Sequence, residues 1–306
     1  MLSVLKALAD STRLRLLAIL TRGEFTVQEL TGILEMGQSR ISRHLKILAD
    51  AGILGVKRQG TWAYYRLGNS SSFAAAIWPS LEKELVRLET YDQDMQGVTE
   101  VLNVRRQRSR QFFDDHARQW DQMAEQLLAL PPYHALLLQQ LPQVRVALEI
   151  GFGTGRLLTA LSAHAERVIG VDQALPMVEQ ARQLIAEQGL SNVDLRLGEM
   201  THLPVADAEA EAVALNMVLH HAAQPAAVLL EINRVMRAGA RLVIADLQKH
   251  DKEWVRDRLA DQWLGFDPDE LNGWLEQAGL ITEQVFPLQN KGQGLDAFLL
   301  VARKKQ

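Results

Sequence analysis

The feature that most restricts the fold is an apolar strand that ends in three closely spaced glycines. Val146-Ala147-Leu148-Glu149-Ile150 leads into Gly151-Phe152-Gly153-Thr154-Gly155 and then into a helical pattern from Arg156 to His164. Glycines at a strand-to-helix turn let a ligand come close to the backbone. The spacing is G-x-G-x-G, and Arg156 stands where a dinucleotide fingerprint places its last glycine. A second short strand, Val168-Ile169-Gly170-Val171, ends in Asp172, where a carboxylate can accept both hydroxyls of a ribose. A helix over 175–188, strands over 194–197 and 212–216, a helix over 225–236 and a strand over 241–246 continue the alternation. This pattern predicts an α/β fold: a parallel sheet covered by helices on both faces, with the ligand at the carboxyl ends of its strands.

Composition narrows the function. The 306 residues are enough for two domains, each with its own core. There is no cysteine, which excludes a disulfide scaffold, a thiolate zinc site and a cysteine nucleophile. Charge is unevenly divided. Residues 1–68 hold ten Lys and Arg against five Asp and Glu, a balance of +5, and the remainder carries −9. A basic module on an acidic body is what a nucleic-acid reader joined to something else shows, because neutralising phosphates releases counterions. No basic n-region precedes a long apolar stretch at the amino terminus. The longest uncharged run, Gln126 to Val144, is interrupted by Pro131, Pro132 and Pro142. Neither a signal peptide nor a membrane span is expected, and the chain reads as cytoplasmic.

In the basic module, Ser11-Thr12 reads as a cap before a helix bearing Leu14, Leu16, Leu17 and Leu20. Thr26 stands three residues before Glu29, as a capping box requires, and starts a helix to about Leu34. After Glu35-Met36-Gly37 a third helix spans about Gln38 to Asp50, with Ile41, Leu45 and Leu48 on one stripe. Its opposite face holds Gln38, Arg40, Arg43 and Lys46 beside Ser39 and Ser42, side chains of the kinds that reach base edges and phosphates in the major groove. β-rich residues either side of Gln59-Gly60 predict a hairpin over 54–67, to which Lys57, Arg58 and Arg66 add positive charge. His44, next to the apolar stripe, either packs or contacts a phosphate.

Helix, turn, basic helix and basic hairpin describe a winged helix-turn-helix, mainly α with a β-hairpin wing. LKALADSTRLRLLAIL, TVQELTGIL, QSRISRHLKILADAGIL and GVKRQGTWAYYRL resemble the ArsR family of bacterial repressors over roughly residues 2–80. The resemblance implies a homodimer on a pseudo-palindromic operator in double-stranded DNA, with the helix from Gln38 in the groove and the wing on the backbone or minor groove. Its DNA contacts fall on Gln38, Ser39, Arg40, Ser42, Arg43, Lys46, Lys57 and Arg58. Many members sense metals or arsenite through a cysteine pair in the helix that here reads Gln28-Glu29-Leu30-Thr31-Gly32. A thiolate sensor is excluded, no metal is expected as cofactor, and the inducer is something else.

Residues 70–125, with Leu81, Leu85 and Leu88 on one stripe, read as one or two amphipathic helices, a dimer seam or a bridge, with a break at Gly97. The run Arg105-Arg106-Gln107-Arg108-Ser109-Arg110 is strongly basic and reads as a solvated helix face, with DNA contact as the alternative. The expected domains are 1–80, a connector over 81–109, and 110–306.

Over roughly 110–303 the chain resembles class I S-adenosylmethionine-dependent methyltransferases, through ALEIGFGTGRLL, VIGVDQALPMVEQAR, DLRLGEMTHLPV, ALNMVLHHAAQP and RVMRAGARLVIADL. The resemblance implies a Rossmann-like seven-stranded sheet whose last strands, near Thr282 to Pro287 and Leu295 to Ala302, include an antiparallel final one. It further implies that Glu149 contacts the amino-acid end of S-adenosylmethionine or S-adenosylhomocysteine, directly or through water. Gly151, Gly153 and Gly155 let the backbone approach the ligand, and Asp172, followed by Gln173, holds the ribose. Met177 packs on adenine and Glu199-Met200 pairs with its edge. Trp120, in FFDDHARQWD, sits where related enzymes place an aromatic residue from an N-terminal lid.

Asn216-Met217-Val218-Leu219-His220-His221 lacks the Asn-Pro-Pro-Tyr type of motif of nucleic-acid amino-methyltransferases. His220 or His221 serves either as a base toward a methyl acceptor or in loop capping and cofactor packing. Without cysteine, the thiolate-dependent arsenite-methylating members are a poor match. Two functions stay open: a transcriptional regulator whose methyltransferase-like domain binds the nucleoside as effector, and a small-molecule methyltransferase with an autoregulatory reader. The first architecture resembles ArsR-type regulators of methionine and S-adenosylhomocysteine metabolism.

Overall fold

The structure, a computed structural model, describes residues 1–68, 72–292 and 294–306. The chain divides into two units, Met1–Arg105 and Arg106–Gln306. The boundary between them falls within the stretch read as a connector over 81–109. Ser70 and Ser71, at the start of the stretch read as amphipathic helices, lie outside the described residues.

In the first unit the helix Ser11–Leu20 starts at Asp10, whose side chain accepts from the Arg13 backbone N–H at 3.0 Å, so Asp10 rather than Ser11-Thr12 is the cap. The capping box at Thr26 and Glu29 forms as its spacing predicts and opens the helix Val27–Leu34. A left-handed Glu35 ends that helix, and the next, Gln38–Asp50, buries Ile41, Leu45 and Leu48 completely. The hairpin is β2 (Leu54–Gln59) and β3 (Trp62–Leu67). A short β1 (Phe25–Thr26), not signalled in the sequence, adds to it in the antiparallel order β1-β3-β2.

Two expectations fail in this unit. Lys57 is 5% exposed while Val56 beside it is 46% exposed, the reverse of what their polarity predicts. The Lys57 ammonium lies 3.7 Å from the Glu24 carboxylate, and that ion pair overrides the apolar pattern. Lys57 is therefore an interior group of the wing, and the charge on its outside comes from Arg58. Nor does Gly97 break a helix: Tyr91–His116 is continuous through it. A Cβ there would lie 3.2 Å from Ile33 Cα, so the glycine permits close packing on the helix Val27–Leu34.

The second unit is built on β4 (Val144–Ile150), β5 (Ala165–Asp172), β6 (Val193–Leu197), β7 (Ala210–Asn216), β8 (Met236–Leu247), β9 (Leu280–Leu288) and β10 (Ala297–Lys304). They form one seven-stranded sheet in the order β6-β5-β4-β7-β8-β10-β9. The first five are parallel, and β10 runs antiparallel to both its neighbours. The central strands read as continuous apolar runs because helices cover both faces. Strand order reverses between β4 and β7, and in sheets of this kind that switch point opens a crevice at the carboxyl ends of the strands. No helix among the described residues is long and apolar enough to cross a membrane.

Candidate functional site

A cavity of about 400 Å³ opens at that switch point. Its floor is the turn Gly151–Thr154 after β4, and its walls come from Val171 to Gln173 after β5 and Asn216 to Val218 after β7. Gly151 and Gly153 both take positive φ, +69° and +56°. Nothing lies within 4 Å of where a Gly153 Cβ would stand, so the turn presents bare backbone to the cavity. Gly155, at φ +88°, serves packing instead: a Cβ there would come within 2.9 Å of Ala181 Cβ, and the residue is not on the cavity wall.

Asp172 stands where β5 meets the cavity. Its carboxylate accepts from the backbone N–H of Gly153 and of Ala174, both at 2.9 Å. Burial pushes this carboxyl up to about 6, against the pull of those backbone donors. Glu149, one strand away, is buried beneath the glycine turn; burial first and the Asp172 charge second hold it well above the carboxylate range. Its Oε2 has no hydrogen-bond partner, leaving a buried acceptor behind the turn.

Of the residues singled out in the sequence, Trp120, Gly151, Gly153, Asp172, Gln173, Met177, Met200 and His221 share the cavity wall. Glu199 lies beside it, 3.5 Å from the Arg106 guanidinium, in a smaller recess with Gln173, Met200 and His221. His220 faces away: its Nδ1 is 2.8 Å from Asp246 Oδ1. Burial lowers the affinity of His220 for a proton, but Asp246 and Asp261 outweigh it and hold the ring up at about 9. His221, by contrast, is held well below the ordinary imidazole value by burial and by His220.

Several residues of the site carry no recognisable sequence signal. Phe113 packs edge-on against both Trp120 and His221, each at 4.9 Å between ring centroids, and closes one side of the cavity. Asp121 ties the turn down, accepting from Thr154 Oγ1 at 2.9 Å and pairing with Arg156 at 2.8 Å. The Tyr133 hydroxyl donates to Asn216 Oδ1 at 2.7 Å, and Leu128, Leu130, Pro131 and Pro132 also line the cavity, together with the charged Glu125 and Arg156.

On the first unit, Gln38, Ser39, Arg40, Arg43 and Lys46 are exposed along the helix Gln38–Asp50, Ser42 is half-buried, and Arg58 is exposed on β2. On that helix Arg40, Arg43 and Lys46 lie away from the buried stripe of Ile41, Leu45 and Leu48.

Two family models match the chain: "Bacterial regulatory protein, arsR family" over residues 10–55 and "Methyltransferase domain" over 148–244. The arsenic resistance transcriptional regulator ArsR1 of Pseudomonas putida is 54% identical over 65 residues, 21% of this chain and 51% of that protein. The arsenite methyltransferase of Halobacterium salinarum is 33% identical over 46% of this chain and 38% of its own length. The ubiquinone biosynthesis O-methyltransferase of Hahella chejuensis is 30% identical over 202 residues, 60% of this chain and 84% of that protein. The chain thus spans about half or less of the first two of these relatives. Among solved structures, an S-adenosylmethionine-dependent methyltransferase from Aquifex aeolicus superimposes with a TM-score of 0.52 at 22% identity, covering 62% of this chain and 97% of that one, a likeness of fold.

Proposed function

We propose, for a chain that belongs to the methyltransferase family and carries an arsR-family regulatory module ahead of that domain, that it is a DNA-binding transcriptional regulator whose second unit binds S-adenosylmethionine or S-adenosylhomocysteine as effector. The observation that carries the reading is the cavity at the switch point, with Asp172 fixed at one wall and bare glycine backbone at its floor. Asp172 would accept the ribose hydroxyls, Gly151 and Gly153 would face the ribose and methionine portions, Glu149, buried behind the turn, would reach the amino-acid end through water, and Met177 and Met200 would flank adenine. The ligand's sulfonium and methyl group distinguish the two nucleosides chemically. A nucleoside with different affinity for the DNA-competent and incompetent states shifts operator occupancy by that difference, tenfold for about 1.4 kcal/mol. The operator is read by a homodimer through the exposed helix Gln38–Asp50. Titrating a labelled promoter fragment with each nucleoside separately tests the proposal. One of the two is expected to move the DNA-binding curve, and a curve that neither moves overturns it.

The second reading, methyl transfer to a small molecule, is favoured by one observation: His221 stands on the cavity wall beside Trp120 and Phe113. Incubation with methyl-labelled cofactor and a metabolite extract separates the readings, because an effector domain alone transfers no label.

Two expected outcomes follow from the same residues. Arg43→Ala removes an exposed guanidinium from the reading face; where it contacts a base, operator affinity falls by about 1–3 kcal/mol and specificity relaxes at one position. An unchanged footprint removes Arg43 from that face. The second concerns pH. With Asp172 at about 6 in the free protein and the ionised form accepting both ribose hydroxyls, nucleoside affinity is present above pH 6 and lost as pH falls through it. Asp114 and Glu149 are the acidic groups that bear on it. Calorimetry at pH 8 and pH 5 is expected to differ by about tenfold, and Asp172→Asn to flatten the profile.

A further inference from the structure

We propose that His220, His221 and Asp261 form a binding site for a divalent transition-metal ion of the zinc class, set immediately behind the wall of the cavity. Asp261 Oδ1 stands 3.8 Å from His220 Nε2 and 3.8 Å from His221 Nδ1, and the three ligand atoms lie within 4.8 Å of one another. A separation of 3.8 Å is too long for a hydrogen bond. Zinc bonds of about 2.0–2.2 Å to nitrogen and oxygen place tetrahedral ligands about 3.4 Å apart, so shifts of a few tenths of an ångström close two of the three edges on an ion. Neither oxygen of Asp261 has a hydrogen-bond partner, although the side chain is fully buried. A buried carboxylate that faces its imidazole neighbours only at 3.8 Å and accepts no hydrogen bond is costly, and a cation removes that cost.

The surrounding residues hold this geometry. Asp246 fixes His220 from the other side: its carboxylate accepts from the backbone N–H of Leu219 at 3.0 Å and of Leu247 at 2.7 Å, as well as lying 2.8 Å from His220 Nδ1. A carboxylate on the far nitrogen orients a metal-binding imidazole and directs the lone pair of its other nitrogen to the ion. Asp261 follows Ala260, a non-glycine residue at φ +56°. Such a conformation costs about 1–3 kcal/mol and persists only where its surroundings enforce it. Here the segment is pinned by the backbone N–H groups of Gln262 and Trp263, which donate to the His220 carbonyl at 3.1 and 3.0 Å, and by Trp263 Nε1, which donates to the Ala222 carbonyl at 2.8 Å. Imidazole and carboxylate suit zinc and its neighbours without any thiolate, so the lack of cysteine is no obstacle. Arg256 is the cationic neighbour the ion must tolerate; its Nε lies 3.2 Å from Glu253, which draws off part of that charge. The ion would tie the segment at Asp261 to the turn Leu219–His221, and so hold His221 in place on the cavity wall.

The test uses the untagged full chain, stripped with a chelator and then titrated with zinc or cobalt(II). One equivalent of zinc retained per chain after gel filtration is expected, and cobalt is expected to give the intense visible absorption of a four-coordinate nitrogen and oxygen site. Asp261→Asn should abolish both signals, and Asp246→Asn should weaken zinc binding by about 10–100-fold. His221→Gln, a second ligand variant, keeps the test decisive should Asp261→Asn fail to fold. Absence of retained zinc, a purely octahedral cobalt spectrum, or full binding in the folded ligand variants overturns the site and leaves His220 as an ion-paired histidine only. None of these readouts depends on nucleoside or DNA binding.

Discussion

Gly151→Ala is expected to abolish nucleoside binding and to destabilise the second unit by about 2–5 kcal/mol. Two costs combine. Gly151 has φ +69°, a left-handed conformation that costs a residue with a Cβ about 1–2 kcal/mol. A Cβ there would also lie 2.2 Å from Val218 Cγ2 and 2.9 Å from Val218 Cβ, so one side chain or its backbone has to move, at about 1–3 kcal/mol. Neither neighbour moves easily. The Gly151 N–H donates to the Val171 carbonyl at 2.7 Å, which fixes the turn to β5, and Val218 sits between the left-handed Met217 and the turn that carries His220 and His221. The strain therefore passes into two walls of the cavity at once. Val218→Ala in the same chain removes the clash with Cγ2 but keeps the close approach to Val218 Cβ and the backbone cost, so it should restore only part of the stability and part of the binding. The double-mutant cycle reads the two contributions separately, with a coupling of about 0.5–3 kcal/mol. Equal stability of Gly151→Ala and the parent chain in thermal unfolding would show that the turn is not constrained in this way.

The glycine turn was readable from sequence because everything that defines it is local: a strand, three glycines and a helix in succession. The same holds for the central strands β4 and β7, which announce themselves as apolar runs, and for the capping box, whose partners are three residues apart, whereas the count of seven strands rests on the family resemblance. What escaped notice depends on distance along the chain. His220 carries no mark that Asp246 lies against one nitrogen and Asp261 near the other, because the turn and the two carboxylates belong to separate segments brought together by β8 and the loop after the helix Trp254–Arg258. Lys57 carries the sequence signal of a surface charge because a lysine in a hairpin usually is one; Glu24, 3.7 Å away in space, reverses that. Arg105 is the clearest instance. In the run 105–110 it looks like one of several solvated arginines, yet it is 8% exposed and belongs to the interior of the first unit.

That position makes Glu29→Ala the most damaging change expected in the first unit. Arg105 Nε and Nη2 donate to the two Glu29 oxygens, both at 2.8 Å, across 76 residues of sequence, and Nη2 also donates to the Glu24 carbonyl at 3.1 Å. The guanidinium carbon lies 5.4 Å from the Phe25 ring centroid and 5.7 Å from that of Tyr64, so the charge is largely enclosed by apolar surface. Removing the carboxylate leaves this cation without its main counter-charge, at about 3–5 kcal/mol. The same carboxylate accepts from the Thr26 N–H at 2.7 Å, and losing that cap adds roughly 1 kcal/mol. Glu29→Gln separates the two, because glutamine can still close a capping box but carries no charge to pair with Arg105. Its cost should therefore fall below that of alanine. Combining Glu29→Gln with Arg105→Met takes the charge out of the apolar surroundings and should recover much of the loss, as replacing both members of a buried pair often does. Hydrogen exchange in the helix Val27–Leu34 is the suitable measurement, since it reports this unit without requiring the whole chain to unfold in one step. Exchange there should quicken by about a hundredfold or more in Glu29→Ala, where opening is limited by this contact. If the double variant exchanges as fast as the alanine variant, the ion pair is not what holds the helix Val27–Leu34 to the helix that carries Arg105.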